Sequence, residues 1–509
     1  MQAMKRSPTA PGSSLTTNAL AICTNTVYSQ RQVAVVESTT SVLISDQYSN
    51  TKATGIPGYL PLCRNLDPPP DDSFVLYTIN SLGKNDWMVI VYLNASQMHT
   101  SALGSQSFLM RQCLLALARI FYGVKRHEKR VLRGGMNLYG GALNMLSSSF
   151  RVKESNITIE MVGSVLLLSM IEVDTVLTQS STPLTCLLQS ILPTGKTSWI
   201  SHILGLEHLF ALLQPSKLEG KHSFEYAMLK SCQPVMILGA FFTQKPSIMG
   251  DPAWRAAMRD QGRHNTINMT ETRTSPSLSF LMDILAELPQ LFMHCDECTL
   301  STRTESVKTS PQFVAALCSR VSHLRKTIAD WKDEWDSEFR GKMYEILSTN
   351  EANSIQILGW ITVFYFSSVD VAITFAMYHS VVILVNGIAA ALFEAGLWIP
   401  FGSECNGFKP CAEFSSEMVL ASIRSSIRSI CRTVEYNLHT TQSAREHADF
   451  YLFFPIHVAR RASIQFRQSP ETTWLTKAFE IMRLSYPMGI WANMDFGDRF
   501  NGLGEGMFG

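Results

Sequence analysis

Read for spacing alone, the chain changes character near residue 72. Beyond that point apolar residues recur at three- and four-residue steps. Leu132, Met136, Tyr139, Leu143 and Leu146 make one such series and Ile159, Val162, Leu166 and Met170 another, each laying an apolar stripe along one face of a helix. The same period predicts helices over 199–213, 224–242, 278–292, 313–347, 416–437, 447–466 and 473–484, with breaks at Pro193, Pro215, Pro246 and Pro252. No strands alternate with these helices, which disfavours a parallel-sheet enzyme fold. The expected fold is all-α: a large irregular helical bundle or solenoid, without an internal repeat, preceded by a poorly ordered N-terminal tail.

The tail covers residues 1–71, rich in Ser, Thr, Asn and Pro and closing on Pro68, Pro69, Pro70 and Asp71. Within it the β-branched run 32–45 suits a short strand or a segment lying along the domain. The helical domain is expected over 72–509. Its strongest apolar stretch, 355–398, is long enough on paper to cross a bilayer once or twice. Asp370, His379, Asn386 and Glu394 interrupt it, and neither flank carries the excess of Lys or Arg that orients a spanning helix. Two buried core helices and no membrane are the expectation.

Composition changes this picture little. A hydrophobic content of 46% with 17% charged residues is globular. A net charge of +1, from 43 basic and 42 acidic residues, is no footprint of a protein that wraps nucleic acid with its whole surface; DNA contact would need a local basic patch. The 11 scattered cysteines read as reduced and buried, as in an intracellular protein, and the apolar piece 19–23 is too short for a secretory signal.

Few residues suggest chemistry. His379 and Asn386, seven apart, share a helix face, and with Tyr378 they are candidates to line a ligand pocket; the alternative is buried polar groups bonded to neighbouring helices. His294, Cys295 and Cys298 have the spacing of half a zinc site, and Cys318 would supply a fourth ligand if the next helix folded back. The alternative there is two packed thiols and an exposed histidine. Gly195, Lys196 and Thr197 imitate the end of a phosphate-binding loop, but Ser190 stands where its first glycine belongs. The glycines at 502, 504, 506 and 509 precede no helix that would cap a phosphate. Lys125, Arg126, Lys129, Arg130 and Arg133 form the best basic run, readable as a nuclear import signal or as a solvated loop and helix start. Neither a nucleophile elbow nor a carboxylate pair demands catalysis, and no cofactor is expected.

Several ordered pieces carry a family resemblance. They are the Leu-Ala-Leu-Ala run within 113–121 with the Leu-Tyr-Gly-x-Ala-Leu element at 138–143, and Trp199, His202 and Gly205 followed by Leu212, Leu213 and Pro215. Phe241, Phe242, Pro246, Pro252 and Trp254 come next. The Ile-Cys-Arg-Thr-Val-Glu-Tyr segment 430–436 and then Phe454, Pro455, Trp474 and Gly489 complete the series. In this order they resemble the fungal-specific transcription factor domain, the helical regulatory region that follows a binuclear zinc cluster. The resemblance implies transcription regulation in the nucleus, with a secondary-metabolite gene cluster as the expected target. The partners would be the transcription machinery, a DNA-binding protein or a small apolar ligand. Trp199, His202 and Gly205 are expected to pack, with the glycine permitting close helix approach. The cluster itself needs six closely spaced thiolates, and only Cys23 and Cys63 precede residue 110, which puts sequence-specific DNA binding by this chain in doubt. The alternatives are a cytoplasmic location and a domain recruited to natural-product biosynthesis as a cofactor-free cyclase, isomerase or metabolite carrier.

Overall fold

The structure is a computed structural model that describes residues 71–81, 107–152, 157–175, 196–215, 223–265, 278–304, 310–347, 362–398, 415–438, 442–464, 466 and 469–485. The expected tail as far as Pro70, its run 32–45, Gly195, Gly489 and the terminal glycines lie outside these, while Asp71, expected to end the tail, opens a helix. The described residues are all-α apart from one hairpin, and they fall into two compact units. One is drawn from Met1–Thr78 and Tyr92–Gly205, the other from Ile79–Val91 and Leu206–Gly509.

The first unit contains α1 (Asp71–Ser81) as far as Thr78, α2 (Ser107–Lys125), α3 (Lys129–Val152) and α4 (Ile159–Thr175), together with the start of α5 (Lys196–Leu213). α2 is the centre, packed against α3 and α4. Its Cys113, Ala116, Leu117, Ala118 and Ile120 are fully buried, and Tyr139, Ala142 and Leu146 of α3 are nearly so. Glycine sets the distance between α2 and α3. A Cβ on Gly135 would stand 2.8 Å from the backbone N of Ile120, and one on Gly123 would stand 2.7 Å from the backbone N of Leu132. α1 lies on α2 through the edge-on rings of Phe74 and Tyr122, 4.9 Å apart, and an Arg119–Asp71 ion pair.

The second unit contains the rest of α5, α6 (Ser223–Thr243), a 3-10 turn (Ile248–Gly250), α7 (Pro252–Asn265), α8 (Leu278–Thr304), α9 (Pro311–Glu338), β1 (Met343–Leu347), β2 (Thr362–Phe366), α10 (Val369–Glu394), α11 (Ser416–Leu438), α12 (Gln442–Ile464) and α13 (Pro470–Ser485). α10 is its hub, in contact with α8, α9, α11 and α12. Ser368 starts it by accepting a hydrogen bond from Val371 N. Gly396, in the left-handed region at φ +66°, ends it while Leu397 N reaches back to Leu392 O. Of its 26 residues 19 are buried, so it is covered on every side rather than along one stripe. Its most apolar window is long and apolar enough to cross a membrane, and 89% of that window is buried inside the protein.

Two charged side chains stitch the periphery. Glu207 of α5 accepts from Ser247 Oγ (2.7 Å) and Ile248 N (2.9 Å), holding the 3-10 turn. Glu287 of α8 takes Arg255 of α7 (2.9 Å) and Arg320 of α9 together.

Three expectations are corrected. The helix expected over 313–347 stops at Glu338: Phe339 caps it, Gly341 turns the chain at φ +82°, and 343–347 is a strand. The stretch 355–398 is not two helices, because its described part is strand β2 followed by α10. The sequence Thr-Val-Phe-Tyr-Phe is β-branched and aromatic, and it pairs antiparallel with β1, Tyr344 opposite Tyr365. Gly205 does not serve close packing, since a Cβ there would meet nothing within 4 Å.

Candidate functional site

The pocket candidates come together where α10 meets α9 and α11. His379 and Asn386 point from one face of α10 toward α11, as their seven-residue spacing requires. The facing residues are Ser426 and Ser422, four apart on α11. His379 Nδ1 lies 3.1 Å from Ser426 Oγ, and Asn386 Nδ2 donates to Ser422 Oγ at 3.1 Å. Rising residue numbers on one helix meet falling numbers on the other, so the two run antiparallel.

Each group is left half satisfied. His379 Nε2 and Asn386 Oδ1 are buried without a hydrogen-bond partner among the described residues, and so is Trp331 Nε1 of α9. An unpaired buried polar atom costs about 1–3 kcal/mol, so each of these weakens the core locally, His379 and Trp331 around Tyr378 and Asn386 two turns further along α10. A neutral imidazole has one donor and one acceptor nitrogen. Whichever role Nδ1 takes toward Ser426, Nε2 presents the other one.

Aromatic rings wall the histidine. Tyr378 stacks on Trp331 (centroids 5.3 Å apart, planes at 15°) and meets the His379 ring edge-on at 4.9 Å, while Phe375 closes the other side at 4.5 Å. Trp335 extends the stack from Trp331 at 5.2 Å. Burial, helped by the ammonium of Lys332, pushes the His379 imidazolium down to about 3, so the ring is neutral at physiological pH. Burial, with Asp336 and Asp333 behind it, lifts the Tyr378 phenol to about 12. Neither group exchanges protons near neutrality. The arrangement is equipped to accept and donate hydrogen bonds inside an aromatic wall, and poorly equipped for acid–base chemistry.

The sulfur-rich cluster has a different character. Cys295 and Cys298 are buried on α8, and α9 does fold back to bring Cys318 into electrostatic range of both. Burial raises the Cys295 and Cys298 thiols, so they are protonated as packed here. Cys318 Sγ is spent on Leu397 O at 3.5 Å. His294 is half-buried rather than exposed, its ring edge-on to Phe313 at 5.1 Å. Among the described residues no group of three or more His, Cys, Asp or Glu side chains is arranged to hold a metal ion.

Lys196 and Thr197 are the first residues of α5, and the basic run 125–133 occupies the turn between α2 and α3 and the start of α3. Sequence reasoning missed Trp331, Ser422 and Ser426. Their signal was available as i, i+4 pairs, Trp331 with Trp335 and Ser422 with Ser426, but nothing in spacing said which helix would face α10. No family model matches the chain, and neither a curated protein nor a solved structure matches it.

Proposed function

We propose that this chain is a transcription regulator of the fungal zinc-cluster-factor type, acting through a helical regulatory body that binds protein partners and a small, largely apolar ligand. What supports the reading is that several resemblance-bearing residues are buried in the second unit, and that one pair of them far apart in sequence packs together. Phe241 meets Phe454 at 5.7 Å across more than 200 residues, and Trp254, buried, meets Phe210 at 5.1 Å. Ile430, Cys431 and Val434 of the 430–436 segment are buried on α11, and Tyr436 donates to Phe366 O at 3.1 Å. The ligand would settle beside His379, Asn386 and Trp331, offering polar atoms to their unpaired ones and apolar surface to the rings.

In this reading the gene set serves secondary metabolism and the location is the nucleus. The partners are the transcription machinery or a DNA-binding protein, with no membrane involved. Chromatin immunoprecipitation of the tagged chain, with transcript profiling of a deletion strain, tests this. Enrichment at promoters and altered expression of a restricted gene set are expected; no enrichment with unchanged transcripts overturns it. The biosynthetic reading uses the same aromatic wall, but a neutral histidine and a neutral phenol favour holding a ligand over transforming it. Conversion of a pathway intermediate by the purified protein would reverse that ranking.

A further inference from the structure

Charge is distributed unevenly along this nearly neutral chain. Between residues 107 and 152, the α2–α3 hairpin, eight Lys and Arg stand against one acid, Glu128. Five of the eight, Lys125, Arg126, Lys129, Arg130 and Arg133, fall within nine positions at its turn.

The turn is rigid. Glu128 N donates to Gly123 O (2.9 Å) and His127 N to Val124 O (3.3 Å), with His127 left-handed at φ 57°. That is the pairing of a Schellman motif, and it fixes the direction in which α3 leaves. The close approach of Gly123 to Leu132 locks the helices just behind it. Arg126, Lys129, Arg130 and Arg133 are exposed, and among the described residues no carboxylate pairs with them. The Arg126 guanidinium is steadied over the Tyr77 ring at 5.4 Å.

Lys125 and Arg126 suit the C-terminal end of α2 and Glu128 directly precedes α3, but within α3 itself local electrostatics disfavours the basic start. α3 has no acid in its first turn and opens instead on Lys129 and Arg130, at the end where the helix dipole is already positive and the first backbone N–H groups lack intrahelical acceptors. An external polyanion satisfies all three: the cations, the dipole and the open N–H groups. No large hydrophobic side chain is exposed between residues 122 and 136, so nothing there would insert into a lipid surface. Nor is a Phe, Tyr or Trp fully exposed there to stack unpaired bases, which sets single-stranded nucleic acid aside. The run is folded into helix and turn, unlike an extended import peptide.

We infer that the α2–α3 turn contacts the phosphate backbone of duplex DNA, with Arg126, Lys129, Arg130 and Arg133 as the phosphate-binding groups and no base readout. This does not depend on the regulator reading, since a partner-bound regulator need never touch DNA. The test is fluorescence anisotropy of the full chain with a 20-base-pair duplex across a salt series. Four phosphate contacts give a logarithmic salt slope near −3.6, a loss of roughly 100-fold in affinity between 50 and 200 mM salt. A variant carrying Arg126→Gln, Lys129→Gln, Arg130→Gln and Arg133→Gln is expected to lose binding. A control with Lys326→Gln and Lys477→Gln should stay within about twofold of wild type. Lys129→Gln alone should lower the slope by about one, and it keeps the test decisive if the fourfold variant fails to fold. Absence of duplex binding at 50 mM salt overturns the inference, as does a fourfold variant that folds and keeps its affinity and slope. Binding to phosphatidylserine vesicles but not to duplex, lost in the same variant, would assign the patch to membranes and also overturn it.

Discussion

Helix α10 meets neighbours on all sides, whereas α3 buries one stripe and sends a basic end into solvent. Their polar residues therefore mean different things. Inside α10, His379 and Asn386 are exceptions in an apolar setting, and each leaves an atom unpaired, so altering that helix should register first as stability. On α3, Lys129, Arg130 and Arg133 touch no acid, so altering them should register as binding with little effect on the fold.

The sharpest test of this contrast lies in the middle of α10. Leu384 is buried on the hub helix, and Leu384→Ala should cost roughly 2–5 kcal/mol, because a cavity there cannot fill from solvent. A urea midpoint that implies less than about 1 kcal/mol would mean that α10 is not the tightly packed hub described. The buried stripe of α3 offers the next test. Gly135→Val would force side-chain atoms against the backbone of Ile120, and roughly 1–3 kcal/mol of strain should follow. If the variant melts with wild type, the helices separate more easily than the tight fit at Gly135 implies.

The third test uses pH. His379 has a folded-state pKa of about 3, below its unfolded value, so the unfolded chain binds one more proton throughout that interval. Its contribution to stability is complete above about pH 6.5 and is lost at ~1.4 kcal/mol per pH unit as pH falls toward 3. Burial, with Arg460 and Arg461, holds His457 well below its usual range too, so wild type should show the combined slope of both. His379→Gln should remove about half of it between about pH 6 and pH 4, measured by urea unfolding. An unchanged slope would show that the ring is charged or solvated in the folded protein. Glu287 titrates lower: burial pulls its carboxyl up, but Arg320 and Arg255 outweigh that, so the loss of its ion pairs should set in only below the usual carboxylate range.

The same contrast explains what could be read from the sequence. α3 was legible because Leu132, Tyr139, Leu143 and Leu146 repeat at helical spacing against polar neighbours. α10 was recognisable as buried, but its uniform apolarity hid where it began, and 355–398 was divided wrongly. The true boundary is Ser368, an N-cap between an aromatic strand and a helix, and an apolar run has no period to mark it. The strand β1 was missed for the opposite reason. Tyr344 and Ile346 are exposed, and the segment continues the spacing of α9 until Gly341 is recognised as a stop. For the candidate site, spacing placed His379 and Asn386 on one face, which is local geometry. It could not name Ser422, Ser426 or Trp331 as their neighbours, because those contacts depend on how α9 and α11 are laid against α10.

The smallest effect is also the most discriminating, because it has the opposite sign. A cation in the first turn of a helix opposes the helix dipole, and an acid there complements it, by about 0.3–1 kcal/mol at an exposed site. Lys129→Glu should therefore raise the stability of the first unit slightly, read as a higher urea midpoint at low salt, and the gain should shrink as salt screens it. The same variant should bind duplex DNA more weakly than Lys129→Gln. Stability and binding moving in opposite directions is what a residue positioned for an external anion predicts. A Lys129 that served the fold would lose both together, and one that served neither would change nothing.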